Sequence, residues 1–177
     1  DVCSSDLEKL DGESTSIYQT GLHARSLTYV PHVSRNAMKV IWSKVCGDIP
    51  EGMRICGENL YAKHSIHYKQ LPAYFVVFGI YNYNVALSWD EVVEWCELFE
   101  LNYAPVLYRG RWDEKVIRSL YTGKSVYGGE QEGYVVRNVN GFNFDEFSVN
   151  VAKFVRKNHV TSGRHWMHDI CVPNILK

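Results

Sequence analysis

None of the five cysteines, Cys3, Cys46, Cys56, Cys96 and Cys171, stands in a C-x-x-C pair. Their odd number argues against a closed disulfide framework, and reduced thiols in a cytoplasmic protein are the simplest reading. No apolar run approaches the length of a membrane-spanning helix, so no membrane partner is expected. The first residues are polar and lack the apolar core of a secretory signal. There is no internal repeat and no low-complexity tract. Charge of one sign is also missing, because the formal net charge is −1 over 177 residues. A protein coated in positive charge is therefore excluded, while a local basic groove for nucleic acid is not.

What is present is the composition of a globular domain: 46% hydrophobic residues, with 12 Tyr and 5 Trp. The length suffices for one domain with a real core. Ser14–Ser26 alternates around Thr20-Gly21 and reads as a hairpin. From Ser34 a helix is expected, with Ala37, Val40, Ile41 and Val45 on one face, Gly47 as its stop and Pro50 beyond. Residues 53–62 and 73–82 read as strands, the second apolar and buried. Ser88-Trp89-Asp90-Glu91 has the form of a capping box and opens a helix to about Glu100. Residues 105–108 read as a short strand. Residues 112–121 read as a short helix with Val116, Ile117 and Leu120 inward. A turn and strand follow over 128–138, and residues 147–158 read as β-rich. Strands and helices mix without regular βαβ alternation, which points to an α+β domain of antiparallel sheets with flanking helices.

Five short segments carry candidate chemistry, in this order: EKLDGE at 8–13, GENLYA at 57–62, YFVVFGIYN at 74–82, EGYVVR at 132–137 and VAKFVR at 151–156. Each alone is weak. A lysine in K-x-D-G is more often a turn residue, and an aromatic in an apolar strand is more often core. Together and in this order the segments resemble the covalent lysyl-nucleotidyltransferase superfamily of ATP-dependent nucleic-acid ligases and capping enzymes. The similarity is nearest to bacterial and phage RNA ligases. It extends over LSWDEVVEW, PVLYRGRWDE and the tail HVTSGRHWMH, and so over nearly all the chain from Glu8 onward.

That resemblance implies an ATP-grasp-like nucleotidyltransferase domain, ATP with magnesium or manganese as cofactors, and RNA 5′-phosphate and 3′-hydroxyl ends as partners. It implies Lys9 as the nucleophile that takes AMP. It places Asp11 and Gly12 in the same motif, and there Gly12 would permit close backbone approach and an unusual φ. It implies Glu58 and Glu132 as carboxylates facing the nucleotide and the metal. Phe78 would stack on adenine, whereas Phe75 in a strict strand points to the other face. Lys153 would contact the α-phosphate and assist Lys9. The usual K-x-K pattern is absent, since Val151 and Val155 flank Lys153, so Arg156 or Lys157 would supply any second cation. Arg25 and Arg137 are implied as phosphate contacts. A DNA ligase, an mRNA-capping guanylyltransferase and a catalytically silent nucleotide- or RNA-binding module are the alternatives. The irregular last motif keeps the silent module open.

A free lysine has a pKa near 10.4 and is almost wholly protonated at neutral pH. A nucleophilic lysine must therefore be set beside cations or desolvated. The phosphates it attacks need metal and basic side chains around them.

Two further expectations concern the ends of the chain. Residues 1–7, DVCSSDL, match nothing in the family and match the translated end of a common sequencing adapter. They are expected to be a non-native leader, with residues 8–177 forming the ligase domain without its N-terminal segment. At the other end His159, His165, His168 and Cys171, even with His64 and His67, lack the paired spacing of a zinc site. That stretch is expected to be a capping tail with Trp166 and Met167 packed.

Overall fold

The computed structural model describes residues 2–26, 31–158, 167 and 170–177. Two sheets, four α-helices and a 3-10 turn at Phe144–Glu146 make up the described chain. In sequence order they are β1 (Cys3–Lys9), β2 (Glu13–Tyr18), β3 (Gly21–Ala24), α1 (Val33–Val45), β4 (Met53–Asn59), β5 (Phe75–Asn82) and β6 (Val85–Ala86). Then come α2 (Trp89–Leu98), β7 (Asn102–Tyr103), β8 (Val106–Arg111), α3 (Glu114–Arg118), β9 (Gly133–Asn138), β10 (Phe142–Asn143), α4 (Phe147–Asn150) and β11 (Val151–Val155). The first sheet has the order β11-β9-β1-β8, and the second runs β10-β6-β5-β4-β2-β3. All pairings are antiparallel except that of β7, which joins β5 in parallel. This is the expected α+β architecture.

The main core lies between the sheets and α1 and α2, and includes Leu7, Ile17, Met38, Ile55, Leu60, Tyr68, Phe75, Ile80 and Trp89. A small second cluster of Ile117, Tyr134 and Val136, with Leu107, Leu120 and Tyr121, covers the other face of the first sheet. The sheets meet at the turn Leu10–Gly12, which carries the chain from β1 directly into β2.

Local chemistry explains the boundaries. Ser88 and Glu91 close a reciprocal capping box, with Glu91 N–H donating to Ser88 Oγ and Ser88 N–H to Glu91 Oε2, so α2 starts where the sequence says. The first helix departs from the expected face at one position. His32 is its N-cap and accepts the Ser34 N–H. Val40 is 56% exposed, while Ser34, Arg35, Met38 and Val45 are buried. Ala37 and Ile41 pack against the core as expected, and Val40 alone departs from the expected face; Arg35 turns inward to pair with Glu13 at 2.7 Å. The β-rich expectation over 147–158 holds only from Val151, since Phe147–Asn150 is a helical turn held by Asn150 donating to the Glu146 carbonyl.

Cys3–Lys9 fills the centre of the first sheet and pairs along both sides, with β8 and with β9. Its sequence suits that position poorly. Alternation puts Ser5, Leu7 and Lys9 on one face and Ser4, Asp6 and Glu8 on the other. Ser4, Ser5 and Asp6 are all at most 1% exposed. Their hydroxyls and both Asp6 carboxylate oxygens have no hydrogen-bond partner among the described residues. Asp6 stands between Val136 and Tyr108, beside the second apolar cluster. Burial pushes its carboxyl above the usual range, and the nearby Ser4 hydroxyl offsets only part of that.

Candidate active site at the junction of two sheets

Between the sheets lies a cavity of about 1170 Å³. Lys9, Gly12, Arg25, Glu58, Phe78, Arg137 and Lys153 all line it, although they come from seven different elements and turns. The strand register explains the convergence. Lys9 faces Gly133 across β1 and β9, and Lys153 faces Val135 across β11 and β9. Directly opposed residues share a face, so Lys9, Leu7, Val135 and Lys153 look into the same space. On the opposite wall Glu58 faces Ser14 on one side and Val76 on the other.

Lys9 Nζ donates to Glu132 Oε2 at 2.6 Å. The Lys9 side chain retains 25% exposure, and that of Glu132 only 6%. Glu58 Oε1 accepts the Gly12 N–H at 3.1 Å. Burial pushes the Glu58 carboxyl up to about 8, with Glu132 and Asp11 adding to the rise; Lys9 and the Gly12 amide pull the other way. Two buried carboxyl groups thus gather around Lys9, Glu58 in the cavity lining and Glu132 reaching it through the Lys9 side chain.

The K-x-D-G turn is built by contacts the motif does not reveal. Asp11 Oδ2 accepts the Ile66 N–H at 2.8 Å, and the Asp11 N–H donates to the Tyr68 hydroxyl at 2.8 Å. Gly12 keeps an ordinary negative φ, so the unusual φ expected of it is not observed. Close approach is its reason: a Cβ there would meet the Asn59 carbonyl oxygen at 2.5 Å and the Glu58 and Leu60 side chains at 2.9 Å.

Phe78 owes its position to a bulge. Cys56 opposes Gly79 and Gly57 opposes Val77, which leaves Phe78 as the extra residue on β5. The bulge resets the alternation. Val76, Phe78 and Tyr81 line the cavity, and Ile80 turns into the core at 1% exposure. Phe75 is 1% exposed on the other side, as expected. Strict period-two reading misses Tyr81, and no local signal other than Gly79 hints at the bulge.

Arg25 is exposed at the cavity mouth. Arg137 is buried instead, donating from Nη2 to the Leu87 carbonyl at 2.7 Å and lying over the Trp89 and Phe142 rings. Burial pulls its basicity down. Arg156 pairs with Glu130 at 2.8 Å and is not part of the cavity lining. The Glu13–Arg35 pair lines the cavity and was not singled out from sequence, and His64, weighed there only toward a zinc site, lines it too. His159, His165 and His168 lie outside the described residues, as does Trp166. Among the described residues no group of three or more His, Cys, Asp or Glu side chains could cage a metal. An oxygen pair such as Glu58 and Glu132 still suits magnesium or manganese, which keep several waters and share substrate phosphates. No helix among the described residues is long and apolar enough to cross a membrane.

Comparison with known proteins agrees with this geometry. The family model described as RNA ligase matches residues 7–155, so the chain belongs to the RNA ligase family. No curated protein matches the sequence significantly. Among solved structures the chain is similar to the Naegleria gruberi RNA ligase with PPi, at TM-score 0.60 and 15% identity, over 89% of this chain and 50% of that one. It is equally similar to a lysine-to-methionine variant of that enzyme with AMP and Mn, at TM-score 0.60 and 15% identity, over 89% and 51%. An apo form of an aspartate-to-alanine variant gives TM-score 0.56 and 16% identity, over 80% and 48%. At these identities the likeness establishes the fold. The chain spans about half the length of these enzymes.

Proposed function

We propose that this member of the RNA ligase family is an ATP-dependent nucleotidyltransferase whose Lys9 carries AMP for joining RNA ends. The observation that carries the reading is the Lys9–Glu132 pair at 2.6 Å, set against Glu58 inside the cavity between the sheets. Lys9 Nζ attacks the α-phosphorus of ATP. A P–N bond forms, the bond to the bridging oxygen breaks, and pyrophosphate leaves. An RNA 5′-phosphate oxygen next attacks the same phosphorus and returns the lysine amine. A 3′-hydroxyl finally attacks the activated 5′-phosphate, forming the phosphodiester and releasing AMP.

Each residue has a part in this scheme. Glu132 orients Lys9 at the cavity. Phe78 presents its ring to the base, where stacking does not depend on hydrogen bonds. Lys153, on the same face as Lys9, offsets charge on the α-phosphate, and Arg25 at the mouth meets phosphate on nucleotide or RNA. Glu58 and Glu132 would hold a divalent cation, which would supply charge neutralisation at the phosphates. Arg137 lines the cavity while its Nη2 is held by the Leu87 carbonyl, and Arg156 pairs with Glu130 away from the cavity lining, so neither is as well placed for phosphate as Lys153.

Transfer of label from α-labelled ATP to the purified chain tests the reading, with Lys9→Ala alongside. A label lost in Lys9→Ala supports it. A folded chain that binds ATP and takes no label overturns it in favour of a silent binding module. A label from GTP alone marks a capping enzyme. Sealing of nicks in DNA but not RNA marks a DNA ligase.

A further inference from the structure

We propose that Tyr68, held by the C-terminal strap through Asn174, is a positioning residue for Lys9; the inference rests on Lys9 being the nucleophile. Residues 171–177 return across the body of the domain and bridge Ala62 to Pro173 and Leu71 to Leu176. Asn174 is 2% exposed, and its side chain is fully engaged. Its Oδ1 accepts the Tyr68 N–H at 2.9 Å, and its Nδ2 donates to the carbonyls of Leu60 at 2.8 Å and Ala62 at 3.3 Å. Its own N–H donates to the Tyr61 carbonyl at 2.8 Å, and the Tyr74 hydroxyl donates to its carbonyl at 3.4 Å. One buried amide therefore fixes the loop from Leu60 to Tyr74.

That loop returns to the nucleophile. Tyr68 is fully buried, and its hydroxyl accepts the N–H of Asp11, two residues from Lys9. Ile66 of the same loop donates to the Asp11 carboxylate. The turn that aims Lys9 is thus held by a side-chain hydroxyl and a backbone amide from one loop, and that loop is pinned by the strap. A hydroxyl acceptor is directional, and losing it leaves the half-buried amide it serves without its protein partner. The ring alone would satisfy packing; the hydroxyl is there for Asp11.

Tyr68→Phe removes that one oxygen from the chain. Self-labelling is followed in single turnover over a range of ATP concentrations, together with amide hydrogen exchange across residues 9–12 and a thermal melt. The expected result is a maximal labelling rate about 10- to 100-fold lower, since small misplacement of a reacting group is costly. The ATP concentration for half-maximal rate stays unchanged, and the Asp11 amide exchanges at least ~10-fold faster. Unchanged rate and exchange overturn the proposal. A shifted half-saturation with an unchanged maximal rate also overturns it, because Tyr68 would then act on ATP binding. If the unaltered chain forms no Lys9 adduct, the functional reading fails on its own. Faster exchange at Asp11 would then still uphold the positioning of the turn, and unchanged exchange would reject it.

Discussion

Lys9 and Glu132 are 123 residues apart in the chain, yet their side chains meet at 2.6 Å across two neighbouring strands. Register makes the contact: Lys9 opposes Gly133, and Glu132 is the residue just before it. In the proposed function, removing the carboxylate would take away the contact that orients Lys9 and one of the two groups that would hold the metal. Glu132→Gln is expected to lower AMP transfer by about 100-fold, the scale of losing one preorganised electrostatic contact. Label transfer on a denaturing gel measures it, and EDTA is expected to suppress transfer in the unaltered chain.

Phe78 offers a ring to the cavity from the bulge on β5. Base–aromatic stacking is worth ~1–3 kcal/mol. Phe78→Ala should therefore raise the ATP concentration for half-maximal labelling by ~10-fold or more, and Phe78→Trp should restore it. Titration of labelling against ATP decides the matter; a change in maximal rate alone would contradict the stacking role.

Gly12→Ala sets a methyl 2.5 Å from the Asn59 carbonyl oxygen. The obstacle is backbone, so the turn itself must move. The variant is expected to lose ~1–3 kcal/mol of stability, the usual cost of overpacking. Urea unfolding measures the loss. AMP transfer should fall with it, because the same turn carries Lys9.

Asp6 offers a pH-dependent test. Burial raises its carboxyl in the folded chain above the unfolded value. The folded state then holds its proton more tightly, so ionising Asp6 destabilises the fold. The penalty grows as pH rises from the ordinary carboxylate range through the raised value, and it is relieved on acidification. Asp6→Val should stabilise the chain at neutral pH by ~1–3 kcal/mol and remove this part of the pH dependence. Urea midpoints at pH 5 and pH 7 give the result. An Asp6→Val chain no more stable than the original would show that the buried carboxyl carries no such penalty.

Elements with strong local chemistry were legible in the sequence. The capping box of α2, the apolar β5 and the hairpin of β2 and β3 all form where expected. So did the convergence of Lys9, Glu58, Phe78 and Lys153, which ordered motifs implied. What escaped depends on contacts between distant segments. Arg35 was buried by pairing with Glu13, and Val40 of the same helix went to solvent. The bulge at Phe78 moved Tyr81 to the cavity, and it depends on how β4 and β5 register rather than on either strand alone. Tyr68 and Asn174 read as ordinary loop residues, because their partners lie up to 114 positions away.

The turn Leu10–Gly12 is the direct covalent crossing from the first sheet to the second, and Leu10 and Gly12 line the cavity. A nucleotide seated there would touch Lys9 and Lys153 on one wall and Glu58 and Phe78 on the other. It would act as mortar between two courses of masonry. Affinity for the nucleotide and cohesion of the domain then become one equilibrium, since whatever binds only the assembled pair of walls also holds them together. Heating in saturating ATP would melt a tighter object than heating alone, and damage to either wall would be felt first as weakened grip on the nucleotide.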